Sequence, residues 1–333
     1  MANWLQRQWA SITYWHLLLM PLSWVFGAIV FVRKFFYTKA WLKSYRLSVP
    51  VVVVGNINVG GTGKTPLVIW LAEQLKLAGH QPGIISRGYG GDAEHIAEVT
   101  ASSHPQHVGD EPVLIAMRTG CPVFIGADRV ATGEALLETY PDCTVIISDD
   151  GLQHYRLQRD VEIVVFDGVK GFGNGALLPA GPLRESQARL KTVDVLVSNG
   201  KAVFGHLVAQ KPIEMFLESA AVYNLVNHQL KLDLSTLVHK KIIAIAGIGN
   251  PERFFQQLRL LGLDFQSRAY SDHYVFQASD FEDIKADVIL MTEKDAVKCT
   301  SFAKPNFWAL PVNAVIHQDL LMIIIDKLNK LRK

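Results

Sequence analysis

Residues 51–66 read Val51-Val52-Val53-Val54-Gly55-Asn56-Ile57-Asn58-Val59-Gly60-Gly61-Thr62-Gly63-Lys64-Thr65-Pro66. A β-branched run stops at a glycine-rich loop, and the loop leads through Gly-Lys-Thr into an apolar-periodic segment at residues 67–77. This order of strand, loop and helix separates a phosphate-binding loop from a chance cluster of glycines. The backbone N–H groups of such a loop, with the N-terminus of the next helix, surround phosphate oxygens. The stretch therefore predicts a nucleotide-binding α/β core.

The residue types in this loop suit ATP and a magnesium ion. Lys64 would reach the β- and γ-phosphates, and the Thr65 hydroxyl would ligate Mg²⁺. Asn58 stands where the usual pattern G-x-x-x-x-G-K-[ST] has its first glycine. Asparagine tolerates left-handed backbone geometry better than most residues, so we expect the loop to form. The predicted ATP-binding residues are Asn58, Val59, Gly60, Gly61, Thr62, Gly63, Lys64 and Thr65.

The composition of the chain limits its class. Its 333 residues suit two lobes, and 49% hydrophobic with 19% charged residues is neither a disordered chain nor a coiled coil. A net charge of +2 predicts no nucleic-acid partner. The three cysteines are far apart and form no C-x-x-C pair, which argues against a disulfide framework or a zinc site and fits a reducing cytosol.

The amino-terminal segment, residues 1–45, carries the signs of a membrane surface. An uncharged and mostly apolar run extends from Leu17 to Val32, and basic residues follow it at once. Five of the seven tryptophans lie in the first fifty residues, which hold no Asp or Glu. Sixteen helical residues span about 24 Å, short of a ~30 Å hydrocarbon core. We expect a helix that lies in one leaflet; a buried helix and a single span are the alternatives.

The rest of the chain alternates strand-like and helical patterns. This alternation predicts a parallel sheet with helices on both faces, and ligands at the carboxyl ends of the strands. A second α/β unit begins near Lys241, and residues near 205–240 are expected to connect the two. The expected architecture is an α/β fold with a P-loop NTPase-type parallel sheet core at 46–225, a second smaller α/β lobe at 226–333 and an N-terminal membrane-associated helix.

Several carboxylates stand at positions suited to chemistry. Asp149 and Asp150 end an apolar strand, where phosphate-loop enzymes place a magnesium-binding aspartate. Asp110 and Glu111 stand at an expected helix start and could simply cap that helix. His273 follows a carboxylate and is a possible general base.

Further loops carry cations and an aromatic residue. Arg184 follows the rigid Gly-Pro turn at 181–182, and its fork-shaped side chain can hold phosphate. Arg87 and Tyr89 lie in a glycine-rich loop. The run Thr292-Glu293-Lys294-Asp295 follows a strand and weakly matches the base-reading N-K-x-D of GTPases.

Taken together, these stretches resemble the tetraacyldisaccharide 4′-kinases of lipid A biosynthesis. The matching segments occur in the family's order and cover nearly the whole chain, from the amino-terminal apolar segment to the last motif. They are Val59–Thr65, Ser86–Gly90, Gly109–Pro112, Asp149–His154, Gly181–Glu185, Asp272-His273 and Thr292–Lys298.

The resemblance implies an ATP-dependent lipid kinase that phosphorylates the 4′-hydroxyl of tetraacyldisaccharide 1-phosphate to form lipid IVA, at the cytoplasmic face of the inner membrane. Its partners would be an acylated glucosamine disaccharide phosphate and the membrane surface, to which it would be peripheral or monotopic. By resemblance, the residue roles fall into four groups: Asp110 and His273 as the activating dyad, with Lys64 and Asp150 also catalytic; Thr65, Asp149, Asp150 and Glu185 at Mg²⁺; Arg87 and Arg184 at the substrate; Tyr89 and Lys294 at the nucleotide.

The competing interpretation is a membrane-recruited P-loop switch ATPase or GTPase. Partitioning ATPases of that class carry a signature lysine just before the two loop glycines, and this chain has Val59 there. A lipid kinase should need an acyl-disaccharide acceptor, whereas a switch should hydrolyse nucleotide without one.

Overall fold

The computed structural model describes residues 8–9, 12–89, 91, 95–203, 210–219 and 221–331. Trp4 and Arg7, part of the predicted membrane segment, lie outside these ranges. The strands in chain order are β1 (Val51–Gly55), β2 (Pro82–Ser86), β3 (Ala97–Val99), β4 (Val123–Ile125), β5 (Val145–Asp149), β6 (Val161–Asp167), β7 (Val195–Asn199), β8 (Ile213–Ser219), β9 (Val222–Asn224), β10 (Lys231–Leu232), β11 (Ile242–Ala246), β12 (Phe265–Ala269), β13 (Val288–Thr292), β14 (Phe307–Leu310) and β15 (Val312–Ile316).

The α-helices in chain order are α1 (Tyr14–Thr38), α2 (Lys64–Leu77), α3 (Pro105–Val108), α4 (Asp110–Thr119), α5 (Arg129–Thr139), α6 (Pro251–Leu260), α7 (Glu293–Cys299) and α8 (Asp319–Leu331). Short 3₁₀ turns lie at Gln187–Lys191, Leu234–Leu237, Ala278–Phe281 and Thr300–Phe302.

Within the described ranges the strands form two sheets. The larger has nine strands in the order β15-β8-β7-β6-β1-β5-β2-β4-β3, and it is parallel from β8 to β4. Both of its faces are covered by buried apolar clusters, which is why β1, β2, β5 and β7 are buried along their whole length. The predicted α/β core with a phosphate loop after β1 is confirmed.

The smaller sheet has six strands in the order β10-β9-β14-β13-β11-β12 and its own two apolar clusters. The chain then returns to the larger sheet, because β15 pairs with β8 and α8 buries Leu320, Ile324 and Leu328 in the core around α2. Each sheet therefore contains a strand from the other side of the predicted domain boundary at 225/226: β9 belongs to the smaller sheet and β15 to the larger. The boundary itself stays a prediction. The expected connection at 205–240 contains β8, β9 and β10.

Helix α1 is longer than the apolar run that predicted it. It has 25 residues, contains Pro21 and includes the first basic residues after the run. By length and composition it is long and apolar enough to cross a membrane. Only 11% of its most apolar window is buried. The sequence-based length of about 24 Å was too short, because the helix extends beyond the uncharged run at both ends.

Candidate active site

The phosphate loop leaves β1 and enters α2 at Lys64. Gly63 has φ +94°, and a Cβ there would lie 2.5 Å from Nδ2 of Asn199, so only glycine fits. That same amide donates to the Thr62 carbonyl at 3.1 Å, and Asn199 is buried at the carboxyl end of β7. The larger sheet thus holds the loop from β7, which lies two strands away from β1, an arrangement that no sequence motif indicated.

Asn58 has a different role from the one its residue type suggested. Among the described residues, the non-glycine positions with positive φ are Ala40, Asp150 and His273, and Asn58 is not one of them. Its side chain is buried and donates to the Gly171 carbonyl at 2.9 Å. The explanation from left-handed tolerance was wrong: asparagine is accommodated because its amide anchors the loop.

Asp150 lies between two cations. Its carboxylate is 3.5 Å from the Lys64 ammonium and 3.0 Å from an Arg184 guanidinium nitrogen. Burial alone would raise the Asp150 pKa, but Lys64 and Arg184 together lower it. Its φ of +47° marks the turn that follows β5 and directs this side chain toward the loop lysine. The structure therefore brings Lys64, Asp150 and Arg184 together, and the roles predicted for each of them stay predictions.

Asp149 is the opposite case, a fully enclosed carboxyl with little compensation. Ser86 donates to Oδ2 at 3.1 Å, while Oδ1 is buried without a hydrogen-bond partner. Burial, followed by the charges of Glu111 and Asp150, raises the pKa of Asp149 to about 6. A buried carboxylate oxygen without a partner is a position where a cation would be stabilising.

Glu185, predicted at the metal, is held by protein groups. Oε1 accepts from Gln153 at 2.9 Å, Oε2 accepts from Tyr155, and the Arg189 guanidinium is 3.7 Å away. Both carboxylate oxygens are thus engaged, and a role of Glu185 in metal binding stays a prediction. Within the described ranges, no group of three or more His, Cys, Asp or Glu side chains could hold a metal ion by itself.

The second half of the site is assembled across the two sheets. Asp110 begins α4 on the larger sheet, and His273 lies in the loop after β12 of the smaller sheet. Nδ1 of His273 is 3.1 Å from Oδ2 of Asp110. Because a carboxylate only accepts, Nδ1 carries the proton and Nε2 is left with its lone pair. His273 has φ +55°, a strained conformation for a non-glycine residue.

Electrostatics couple these two groups. The hydrogen bond that His273 donates to Asp110 raises the pKa of His273 above its ordinary value, against the effect of burial. Burial would raise the Asp110 pKa, but the hydrogen bond of His273 and the charge of Lys294 lower it. Asp110 is therefore held as a carboxylate although it is 5% exposed.

Tyr89 and Lys294, predicted at the nucleotide, lie beside this dyad. The Tyr89 ring is 5.4 Å from the His273 ring and 71% exposed, and Lys294 pairs with Glu111. A cleft lined by Tyr89, Asp110 and His273 opens here. Their predicted contact with the nucleotide stays a prediction, and their position favours the acceptor side of the site.

A positive region borders the Asp149 strand end. Burial, then the charges of Arg129, Arg87 and Arg33, lowers the pKa of His154 to about 4. Arg129 is buried, donates to the Asp149 carbonyl at 3.4 Å and has an unpartnered Nε. Arg87 was predicted at the substrate, whereas Arg129 was missed because it is an ordinary first residue of a helix in the sequence.

Three comparisons place these features among known proteins. A family model described as tetraacyldisaccharide-1-phosphate 4′-kinase, LpxK, matches residues 15–329. A tetraacyldisaccharide 4′-kinase of Methylobacillus flagellatus is 50% identical over 99% of this chain and 97% of its own, and one of Pasteurella multocida is 48% identical over 100% and 99%. A crystal structure of the "apo" form of LpxK from Aquifex aeolicus in complex with ATP superposes with a TM-score of 0.80 at 30% identity, over 94% of this chain and 99% of that one.

Proposed function

The chain belongs to the tetraacyldisaccharide-1-phosphate 4′-kinase family, and on that basis we propose that it transfers the γ-phosphate of ATP to the 4′-hydroxyl of a tetraacyldisaccharide 1-phosphate. The observation that carries this function is the family match over residues 15–329, which includes every predicted site residue. The competing switch ATPase or GTPase is not favoured, since the relatives that match are named as 4′-kinases over their full length.

The dyad supplies the base. With Nδ1 donating to Asp110, Nε2 of His273, which lies 3.9 Å from Oδ1 of Asp272, keeps a lone pair that can accept the proton of an acceptor hydroxyl. Asp110 then stabilises the imidazolium that forms, as a carboxylate does for a histidine that it orients. The acceptor oxygen attacks the γ-phosphorus, the bond to the β,γ-bridging oxygen breaks, and ADP leaves.

The phosphate-loop half supplies charge and position. Lys64 and the loop N–H groups would hold the β- and γ-phosphates. Arg184 is close by, because the Asp150 carboxylate pairs with both Lys64 and Arg184. Asp150 keeps both cations in place before the nucleotide binds. Phosphoryl transfer needs mainly this positioning and neutralisation of charge, since the protein forms no covalent bond to the phosphoryl group.

A magnesium ion fits next to Asp149. The unpartnered Oδ1 of Asp149, the raised pKa of that carboxyl and the buried Thr65 at the start of α2 are the groups that a hard cation with oxygen ligands would satisfy. We propose that Thr65 and Asp149 hold it, with the remaining ligands from phosphate and water. The ion would neutralise phosphate charge during transfer.

The environment of α1 supports a helix that lies in the membrane plane. His16 and Ser23 contact the backbone of Leu177–Ala180, and Tyr37 packs on Tyr155 at 6.0 Å. These contacts fall on one face along about 32 Å of helix. The rest of the helix surface is largely apolar and exposed, at Leu18, Trp24 and Phe31 among others. A helix seated on its own protein along its length suits one leaflet of a bilayer.

We also infer that the enzyme works at the cytoplasmic face of the inner membrane. Its co-substrate is ATP, its acceptor carries four acyl chains, and its three cysteines are free and buried. Basic residues at the end of α1 suit anionic head groups.

The function is tested by phosphate transfer from γ-labelled ATP, with Mg²⁺ and detergent micelles, to tetraacyldisaccharide 1-phosphate. We expect a labelled lipid, phosphorylated at the 4′ position, that disappears in Lys64→Ala. Release of free phosphate without labelled lipid would instead support the switch ATPase.

The proposed position of α1 in one leaflet is tested by flotation with vesicles of phosphatidylethanolamine and phosphatidylglycerol. Trp24→Glu should weaken binding, whereas Leu260→Glu, at an equally apolar but remote position that is 89% exposed, should not. Cysteines placed at Ile12 and Lys39 should both react with a membrane-impermeant thiol reagent on one side of sealed vesicles. Reaction from opposite sides would establish a span.

A further inference from the structure

Lys298 is a buried lysine at the contact between the two sheets. It lies on α7, and its side chain is 8% exposed. Its ammonium is 2.7 Å from Oδ1 of Asp295 and 3.9 Å from Oδ2 of Asp110. It also donates to the Gly247 carbonyl at 3.4 Å and lies 5.1 Å from the centre of the Phe276 ring. A buried ammonium needs such partners, since its transfer from water is costly.

Asp295 fixes this lysine to the smaller sheet. It is fully buried, and its Oδ2 accepts from Thr292 Oγ1 at 2.6 Å and from the Gly247 backbone N–H at 3.0 Å. Lys298 is therefore anchored at the carboxyl ends of β11 and β13 and extends from there to the first residue of α4. The oxygen of Asp110 that it approaches is the one that accepts the hydrogen bond of His273.

We propose that Lys298 is a positioning residue for the dyad, in which its ammonium, held by Asp295, orients Asp110 and keeps it ionised so that His273 acts as the base. This inference rests on the proposed function. It adds to that function a residue that lines the same cleft as the dyad and that acts through Asp110.

The charges around Asp110 define what its loss would do. His273 faces Asp110 from the loop after β12, and Lys294 and Lys298 face it from α7. Glu111 is the neighbour of Asp110 on α4 and pairs with Lys294, and Asp272 lies 3.9 Å from Nε2 of His273. Removing a positive charge favours the protonated forms of both Asp110 and His273, so the pKa of each rises. The pair titrates as a unit, and its base form would then appear only at a higher pH.

The test measures kcat/KM for lipid phosphorylation against pH in Lys298→Met and in the wild type. We expect the acid limb to move up by about one pH unit, because one nearby charge shifts a pKa by roughly that amount. At pH 7 the rate should fall about tenfold and recover in part at high pH, with the Kd for ATP unchanged. A reduced rate with an unmoved limb would make Lys298 merely structural and overturn the proposal.

Two further variants keep the result interpretable. Lys298→Arg retains the cation, and we expect its acid limb to stay at the wild-type pH even if kcat falls; a limb that moves would contradict the proposal whether or not Lys298→Met folds. Lys304→Met, an exposed lysine on the same lobe, is the matched control and should be unchanged. A wild type that transfers no phosphate to lipid would defeat the proposed function itself, which is a distinguishable outcome.

Discussion

The two halves of the active site are built in different ways. The phosphate-loop half, with Lys64, Asp150 and Arg184, lies at the carboxyl edge of the larger sheet, where Asp150 pairs with both cations. The dyad half joins Asp110 of the larger sheet to His273 beside the smaller one. The halves are electrostatically linked, since the charge of Glu111 contributes to the raised pKa of Asp149. The proposed nucleotide side is thus local to one sheet, whereas the proposed acceptor side depends on how the two sheets meet.

The largest effect is expected on the local half. Lys64→Ala removes the cation at the γ-phosphate and leaves Asp150 with Arg184 alone, so both ATP binding and kcat should fall, the latter by about 10³-fold or more. Lipid phosphorylation and nucleotide titration measure the two quantities. Lys64→Arg is the matched control, since it keeps the positive charge but replaces the compact ammonium with a planar guanidinium. Normal turnover in Lys64→Ala would mean that the loop does not hold the reacting phosphates.

The second prediction concerns the dyad half, whose loss should affect turnover but not ATP binding. Asp110→Ala and His273→Ala remove the base, and kcat should fall by about 10²- to 10⁴-fold with little change in the Kd for ATP. The double variant should lose little more than either single variant, because the two residues act as one unit. Strictly multiplicative losses, measured under the same saturating conditions, would show that they work independently.

A third prediction concerns the contact that brings the sheets together. Arg118 on α4 makes two hydrogen bonds, at 2.7 and 2.9 Å, to the buried Glu293 at the start of α7. Arg118→Met leaves that buried carboxylate with the Val312 N–H but without its cation, and should lower the free energy of unfolding by about 2–4 kcal/mol. Urea denaturation measures it.

The matched variant for this ion pair is Arg118→Met with Glu293→Gln, which should recover part of the loss because no buried charge remains. If the single variant were as stable as the wild type, the α4–α7 contact would not depend on this pair.

The smallest effect is a shift in titration. Because Asp110 raises the pKa of His273, the imidazole should titrate above its ordinary value of 6.5, and the base form should be lost as the pH falls through that raised pKa. In Asp110→Asn the negative charge is gone, so the His273 pKa should move down by about one unit. NMR titration of the imidazole protons, assigned with His273→Ala, gives both values. Equal His273 pKa values in the wild type and in Asp110→Asn would show that Asp110 does not interact with His273 in solution.

Much of the local half could be predicted from the sequence. The order of β-branched run, glycines, Gly-Lys-Thr and apolar helix specifies its own geometry. Asp149 ends β5 and Asp150 follows it, and the position of that strand beside β1 is the usual consequence of a parallel sheet. The meeting of Asp110 and His273 followed only from the family resemblance, since 163 residues separate them in the chain.

Other residues carried no signal at all. Asn199 and Arg129 belong to no motif, yet one anchors the phosphate loop and the other lies buried behind Asp149. Lys298 lies in a recognised motif, but no role was predicted for it, because residue spacing indicates neither its burial nor its distance to Asp110. The return of β15 and α8 to the larger sheet was missed for the same reason: a strand pattern does not name its partner.

The sequence by itself determined the nucleotide-binding core, the apolar amino-terminal helix and the residue types of the chemistry, because these depend on interactions between neighbours in the chain. Only the tertiary structure decided which carboxylate accepts from His273, which oxygen of Asp149 lacks a partner and which lysine faces Asp110. Those outcomes depend on burial and on distances between segments far apart in sequence, and burial sets the strength of a charge.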